Sequence, residues 1–193
     1  MGIYFNPNHT DFYNAVNHSQ IYVDKTELIQ YTNSVLFGEQ KYICVSRPRR
    51  FGKSMAANML TAYYSRGCDS RELFQGLKIA THPDFEKHLN QYNVIHLNMR
   101  DYLTESENMK QLIQFVEDDL LDELQQEFSD LRMPRRKTLV KVLEQAFAQY
   151  KIPFVFIIDE WDCIFRVHKS DVTSQTAYLD FLRNLLKDNE VLY

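Results

Sequence analysis

Lys41-Tyr42-Ile43-Cys44-Val45-Ser46-Arg47-Pro48-Arg49-Arg50-Phe51-Gly52-Lys53-Ser54 is the stretch from which the fold can be argued. Its first five residues are β-branched or aromatic apart from Lys41 and Cys44, and Ser46 with Pro48 bounds them, so they predict a strand. A helix is expected from about Lys53 to near Gly67. A Gly-Lys-Ser triplet between a strand and a helix is the setting of a phosphate site. Backbone N–H groups of Gly52, Lys53, Ser54 and Met55 at a helix N-terminus would converge on a phosphate, and the helix dipole would add attraction. Lys53 is expected to reach the β- and γ-phosphates of a nucleotide, and the Ser54 hydroxyl to ligate Mg2+. Gly52 lets the backbone approach without a Cβ in the way. The octet departs from the usual phosphate-loop pattern at its first position, where Arg47 stands in place of glycine. The loop must turn there without a permissive residue or take a different path. Taken alone, the octet is also compatible with a basic surface turn before an ordinary helix.

The second informative stretch is Phe154-Val155-Phe156-Ile157-Ile158-Asp159-Glu160. Its first five residues read as a strand apolar on both faces, as in a parallel sheet covered by helices. That strand delivers two carboxylates at its C-terminal edge, where ligand sites lie in parallel α/β sheets. Asp159 is expected to hold Mg2+, directly or through water, and Glu160 to orient and deprotonate the water that attacks a γ-phosphate. The competing reading is a helix N-cap pair.

Between and around these stretches the pattern alternates. Ile21-Tyr22-Val23 is strand-like, and Asp24 and Glu27 have capping-box spacing ahead of a helix to about Phe37. Gly38, Gly67 and Gly76 each follow a helix-like segment, where a left-handed stop is expected. Ser70 opens a short helix, and Pro83 opens another to about Leu89. Val94 to Leu97 reads as a strand. Met109, Leu112, Ile113, Val116, Leu120, Leu124 and Phe128 recur at helical steps, which predicts a helix from about Ser106 to Phe128. A polar connector with Pro134 follows, then a helical pattern from Leu139 to Tyr150, and a last helix over about Ser174 to Lys187. The expected fold is α/β: a three-layer sandwich around a mainly parallel sheet, in one domain over residues 1–193.

The composition excludes several classes. With 22 Lys and Arg against 26 Asp and Glu, the net charge of -4 gives no global attraction to nucleic acid or acidic lipid, so such a partner would need a local patch. The basic cluster Arg132, Arg135, Arg136 and Lys137 lacks interleaved aromatics, which favours a solvated linker over a nucleic-acid contact. The longest apolar run, Phe154 to Ile158, is far short of the roughly 20 residues of a membrane helix. Cys44, Cys68 and Cys163 form an odd, widely spaced set without a secretory signal, which points to a reducing cytoplasm. Cys44 and Cys163 read as buried small apolar residues. The histidines have no zinc-ligand spacing. Arg49 and Arg50 read either as phosphate contacts and arginine fingers for a neighbouring subunit, or as solvated loop residues.

Tyr22-Val23-Asp24-Lys25-Thr26, Ser46 to Ser54, and Phe156-Ile157-Ile158-Asp159-Glu160-Trp161-Asp162 together resemble the predicted AAA-ATPase-like proteins of bacteria. The family's loop carries Arg where Arg47 stands. The resemblance implies a P-loop NTPase of the additional-strand class. Its cofactors would be ATP and Mg2+, with ATP or ADP bound along Arg49, Arg50, Phe51, Gly52, Lys53, Ser54 and Met55. Ser54 and Asp159 would be the metal residues, and Glu160 and Lys53 the catalytic ones. Longer members continue into a sensor strand, a helical region and often a nuclease-like segment, which suggests work in defence or on mobile DNA. Val191-Leu192-Tyr193 reads as the start of that sensor strand, so the 193 residues are expected to be the N-terminal portion of a longer protein, truncated before sensor and lid. A gap is then expected between the loop strand and the Asp-Glu strand, closed by the chain's own C-terminus, by another chain in self-association, or by collapse of the sheet.

Two functions fit these residues. One is a Mg-dependent ATPase. The other is a nucleotide-responsive switch without significant turnover, possible in a nucleic-acid-directed or defence system.

Overall fold

The computed structural model describes residues 2–48 and 50–186. The chain divides into two compact units, the first made of residues 2–96 with 154–157 and the second of 97–153 with 158–186. It is a mixed α/β protein. Its described strands, β1 (Asn93–Asn98) and β2 (Phe154–Asp159), form one small parallel sheet.

In the first unit the helices are α1 (Thr10–His18), α2 (Glu27–Val35), α3 (Lys53–Tyr64), α4 (Arg71–Phe74) and α5 (Phe85–His88), with a 3-10 turn at Lys78–Thr81. Its core is aromatic. Phe12 stacks on Phe74 with ring centroids 5.2 Å apart, and Tyr63 meets Phe74 edge-on at 5.5 Å. Such pairs add to the burial of their area. The buried hydroxyls of this core are spent on one another. Tyr64 donates to Asn33 Oδ1 (2.7 Å) and lies 2.6 Å from the Thr32 hydroxyl, while Asn33 Nδ2 donates to Tyr63 (3.2 Å), whose own hydroxyl donates to the Phe85 carbonyl (2.7 Å). A buried hydroxyl without a partner would cost free energy, so this chain ties α2 to α3 rather than weakening the core.

The outer edge of β1 is covered by the N-terminal segment. Phe5 bridges Ile95, Asn6 N–H donates to the Val94 carbonyl (2.7 Å), and Val94 N–H donates to Asn6 Oδ1 (2.8 Å). Gly67 is required by this clip: a Cβ there would lie 2.8 Å from the Asn6 carbonyl oxygen. Its role is close approach, not the left-handed stop expected, and of the glycines with described surroundings only Gly52 has positive φ.

The second unit is helical apart from the strand ends: α6 (Met99–Glu105), α7 (Met109–Glu127), α8 (Leu139–Tyr150), α9 (Cys163–Val167) and α10 (Val172–Leu186). Leu112, Val116, Leu120 and Leu124 form one fully buried row on α7 at four-residue spacing. They belong to the same packing as Leu139, Val142 and Leu143 of α8 and Tyr178 of α10, all buried. Asn108 caps α7 by accepting from Gln111 N–H (3.0 Å). None of the described helices is long and apolar enough to cross a membrane.

Further expectations are corrected. Lys41 to Val45 forms no strand, and Tyr42, Ile43, Cys44 and Val45 are exposed. The reason is physical: propensity suits a residue to a ladder, but the ladder bonds come from a neighbouring strand, and none among the described residues pairs with this segment. Ile21 to Val23 is likewise not a strand, with Ile21 83% exposed. Cys44 is exposed rather than buried, unlike Cys163, whose thiol is pushed up to about 11 by burial. Asp24 does not form a capping box with Glu27. It accepts from the Thr26 N–H and hydroxyl, and Glu27 instead pairs with Lys78 (2.8 Å). The expected gap in the sheet has no counterpart as a relation between two strands, and Val191, Leu192 and Tyr193 lie outside the described residues.

Candidate functional site

The loop before α3 is shaped by two left-handed residues, Arg50 (φ 67°) and Gly52 (φ 78°). Gly52 is the N-cap of α3. Helix geometry leaves the amides of Lys53, Ser54 and Met55 without intrahelical acceptors. Ser54 is exposed, and Lys53 and Met55 are half-buried. The Lys53 ammonium turns back over the loop and donates to the Arg47 carbonyl (2.8 Å), with the Pro48 carbonyl at 3.5 Å. Arg47 thus occupies the first position of the motif with its carbonyl, and no glycine is needed for that contact. Arg50 and Phe51 are exposed, and Arg49 lies outside the described residues.

A second lysine, given no role in the sequence reading, reaches the same loop. Lys25 Nζ donates to the Phe51 carbonyl (2.9 Å) and lies 3.1 Å from where a Cβ on Gly52 would sit.

Asp159 ends β2, and its Oδ1 accepts from the Glu160 N–H (2.9 Å). Glu160 has φ 53°, an unusual conformation for a long side chain, and its carbonyl accepts from Cys163 N–H (2.9 Å) to close the turn into α9. The N-cap of α9 is Asp162, so Asp159 and Glu160 do not cap a helix. The Glu160 carboxylate instead accepts from Arg166 on α9, which also lies 3.4 Å from Asp162. The hydrogen bond to Glu160 is the main cause that holds the Arg166 guanidinium above its ordinary pKa. No sequence pattern pointed to Arg166. Lys25, by contrast, stood inside the quoted Tyr22 to Thr26 stretch.

Hydroxyl and carboxylate oxygens of the kind Ser54 and Asp159 offer are the donors a hard cation such as Mg2+ takes. Arg132, Arg135, Arg136 and Lys137 are all exposed around an irregular connector.

No curated protein and no solved structure matches this chain. The family described as "Predicted AAA-ATPase" matches residues 8–190, a span that includes the loop, the Asp-Glu pair and both lysines. The chain therefore belongs to the predicted AAA-ATPase family.

Proposed function

We propose that the protein binds ATP through the loop before α3 and hydrolyses it with Mg2+. The observation that supports this most is the left-handed Gly52 at the N-cap of α3, with Lys53 folded onto the loop carbonyls. The first-turn amides and the ammonium are the groups that accept phosphate oxygens. In this reading the amides of Gly52 to Met55 take the phosphates, and Lys53 exchanges the Arg47 carbonyl for the β- and γ-phosphate oxygens. Arg49, Arg50 and Phe51 flank the nucleotide. Ser54 and Asp159 are the magnesium residues, and the bound cation supplies charge neutralisation on the phosphates. Glu160 takes the proton of the attacking water as the water oxygen bonds to the γ-phosphorus and the bond to the ADP oxygen breaks.

The pairing of Glu160 with Arg166 favours a second reading: a nucleotide-responsive switch whose base is engaged at rest and whose turnover is slow. Both readings require nucleotide binding. The test is ATP and GTP binding followed by phosphate release, with and without DNA. Lys53→Ala is expected to weaken ATP binding about 100-fold, in keeping with the loss of charge-assisted contacts. Unchanged affinity would sink the site. Glu160→Gln is expected to bind ATP and release no phosphate, and release at the parent rate would remove Glu160 from the role of base.

A further inference from the structure

Lys25 is the second cation on the loop, and its surroundings hold it there. Asp24 Oδ1 accepts from Thr26 N–H (2.8 Å) and from the Thr26 hydroxyl (2.7 Å), while Asp24 Oδ2 accepts from the Lys78 N–H (2.8 Å). Fully buried Thr26 accepts in turn from the Ile79 N–H (3.1 Å). The Lys25 and Thr26 carbonyls accept from the first amides of the following helix, Leu28 N–H (3.0 Å) and Ile29 N–H (2.9 Å). Both neighbours of Lys25 are thus tied to the 3-10 turn, while its own carbonyl is tied to α2. The backbone that carries Lys25 is fixed on every side, and only the exposed side chain reaches out to the loop.

What it reaches has a directional consequence. In a trans peptide the C=O and the N–H point in opposite directions, and the described chain has no cis peptide bond. The Phe51 carbonyl and the Gly52 N–H belong to one peptide group. An ammonium held on the carbonyl therefore sets the direction of the amide, away from Lys25. It also polarises the group, which makes the N–H a stronger donor. A phosphate held by the Gly52 N–H would lie on the side of that peptide opposite Lys25.

We propose that Lys25 is a positioning residue of the phosphate loop, acting through the Phe51 carbonyl to aim the Gly52 amide at the phosphates of a nucleotide. The proposal rests on the nucleotide reading of the loop given above. It divides the work of the two lysines. Lys53 must leave the Arg47 carbonyl to meet phosphate, whereas the Lys25 contact is compatible with the empty and the loaded loop alike. Asp24 and Thr26 serve as the footing of that contact.

The experiment measures ATP and ADP affinity with fluorescent analogues, together with amide hydrogen exchange of residues 50–56, in the full chain and in Lys25→Met, Lys25→Arg and Asp24→Asn. Lys25→Met is expected to weaken ATP and ADP equally, about tenfold, in keeping with one lost charge-assisted contact. It is also expected to speed exchange in the loop without nucleotide. Lys25→Arg, which can still donate to the carbonyl, should recover most of both. Asp24→Asn keeps the ammonium but loosens its footing, and a smaller loss, equal for the two nucleotides, is expected. Parent-like affinity in Lys25→Met overturns the proposal. A loss confined to ATP also overturns it, since that marks a direct γ-phosphate contact. Should the parent chain bind neither nucleotide, the nucleotide reading fails, and with it the aim at phosphate. Loop exchange then still decides whether Lys25 holds the loop: unchanged exchange in Lys25→Met removes that role too.

Discussion

Arg166 donates a hydrogen bond to the Glu160 carboxylate across the turn that joins β2 to α9, and it lies 3.4 Å from Asp162 at the start of that helix. A carboxylate oxygen held this way has a lone pair engaged by a guanidinium. Arg166→Gln is therefore expected to raise phosphate release severalfold with ATP affinity unchanged. The pair is partly exposed, so its removal should cost only about 1 kcal/mol of stability. Steady-state phosphate release and urea denaturation measure the two effects. A parent or lower rate would show that the pairing belongs to the working arrangement.

Gly52→Ala tests the loop from the backbone side. An alanine at φ 78° is strained by about 1 kcal/mol, and its Cβ would crowd Lys25 Nζ at 3.1 Å. A stability loss of that size and strongly weakened ATP binding are expected. Gly52→Asn, which adopts the left-handed region more readily, should regain part of the stability. Equal stability of all three proteins in urea would contradict the backbone account.

Tyr178 is buried, and its hydroxyl has no hydrogen-bond partner among the described residues. Burial pushes its pKa well up, so the group stays neutral. Removing an unsatisfied buried hydroxyl relieves its desolvation, so Tyr178→Phe is expected to gain about 1 kcal/mol. A loss of stability in thermal or urea melts would mean that the hydroxyl has a partner in solution.

His88 is buried, with Nδ1 2.5 Å from the Tyr92 hydroxyl. Burial, with help from Lys87, lowers its pKa below 6.5. The sign follows: the unfolded chain takes up a proton near 6.5 while the folded one still resists it. Stability from this residue is therefore complete above that value and lost as pH falls from it toward the folded pKa. The slope is at most about 1.4 kcal/mol per pH unit. Urea midpoints followed by circular dichroism between pH 7.5 and 5.5 should fall for the parent and fall less for His88→Gln.

The elements that periodicity can announce were legible before the structure. α7 and α8 repeat apolar residues every three or four positions, and β2 is an unbroken apolar run; each forms within a few residues of its expected limits. Lys41 to Val45 shows the limit of that reading, since its composition suits a strand and its partner cannot be seen in its own sequence. Gly67 was misread for a related reason. The constraint on it is Asn6, some sixty positions earlier, and nothing local records that approach. The loop with Gly52, Lys53 and Ser54 and the pair Asp159 and Glu160 stood out as candidates because the chemistry proposed for them is written in consecutive residues. Arg166 and Lys25 act on those motifs through space, and only folding shows whom they touch.

The hydroxyl chain between α2 and α3 has a mechanical consequence. Near their starts the two helices are joined by Lys25 and Phe51, and near their ends by Thr32 and Asn33 with Tyr64 and Tyr63. Two rods joined at both ends cannot splay apart from one end as rods joined once can. A pull on the loop then cannot be absorbed by one helix pivoting alone; it loads both, and through Tyr63 it reaches the Phe85 carbonyl. A displacement of the loop is thereby shared between the two helices rather than taken up by either one.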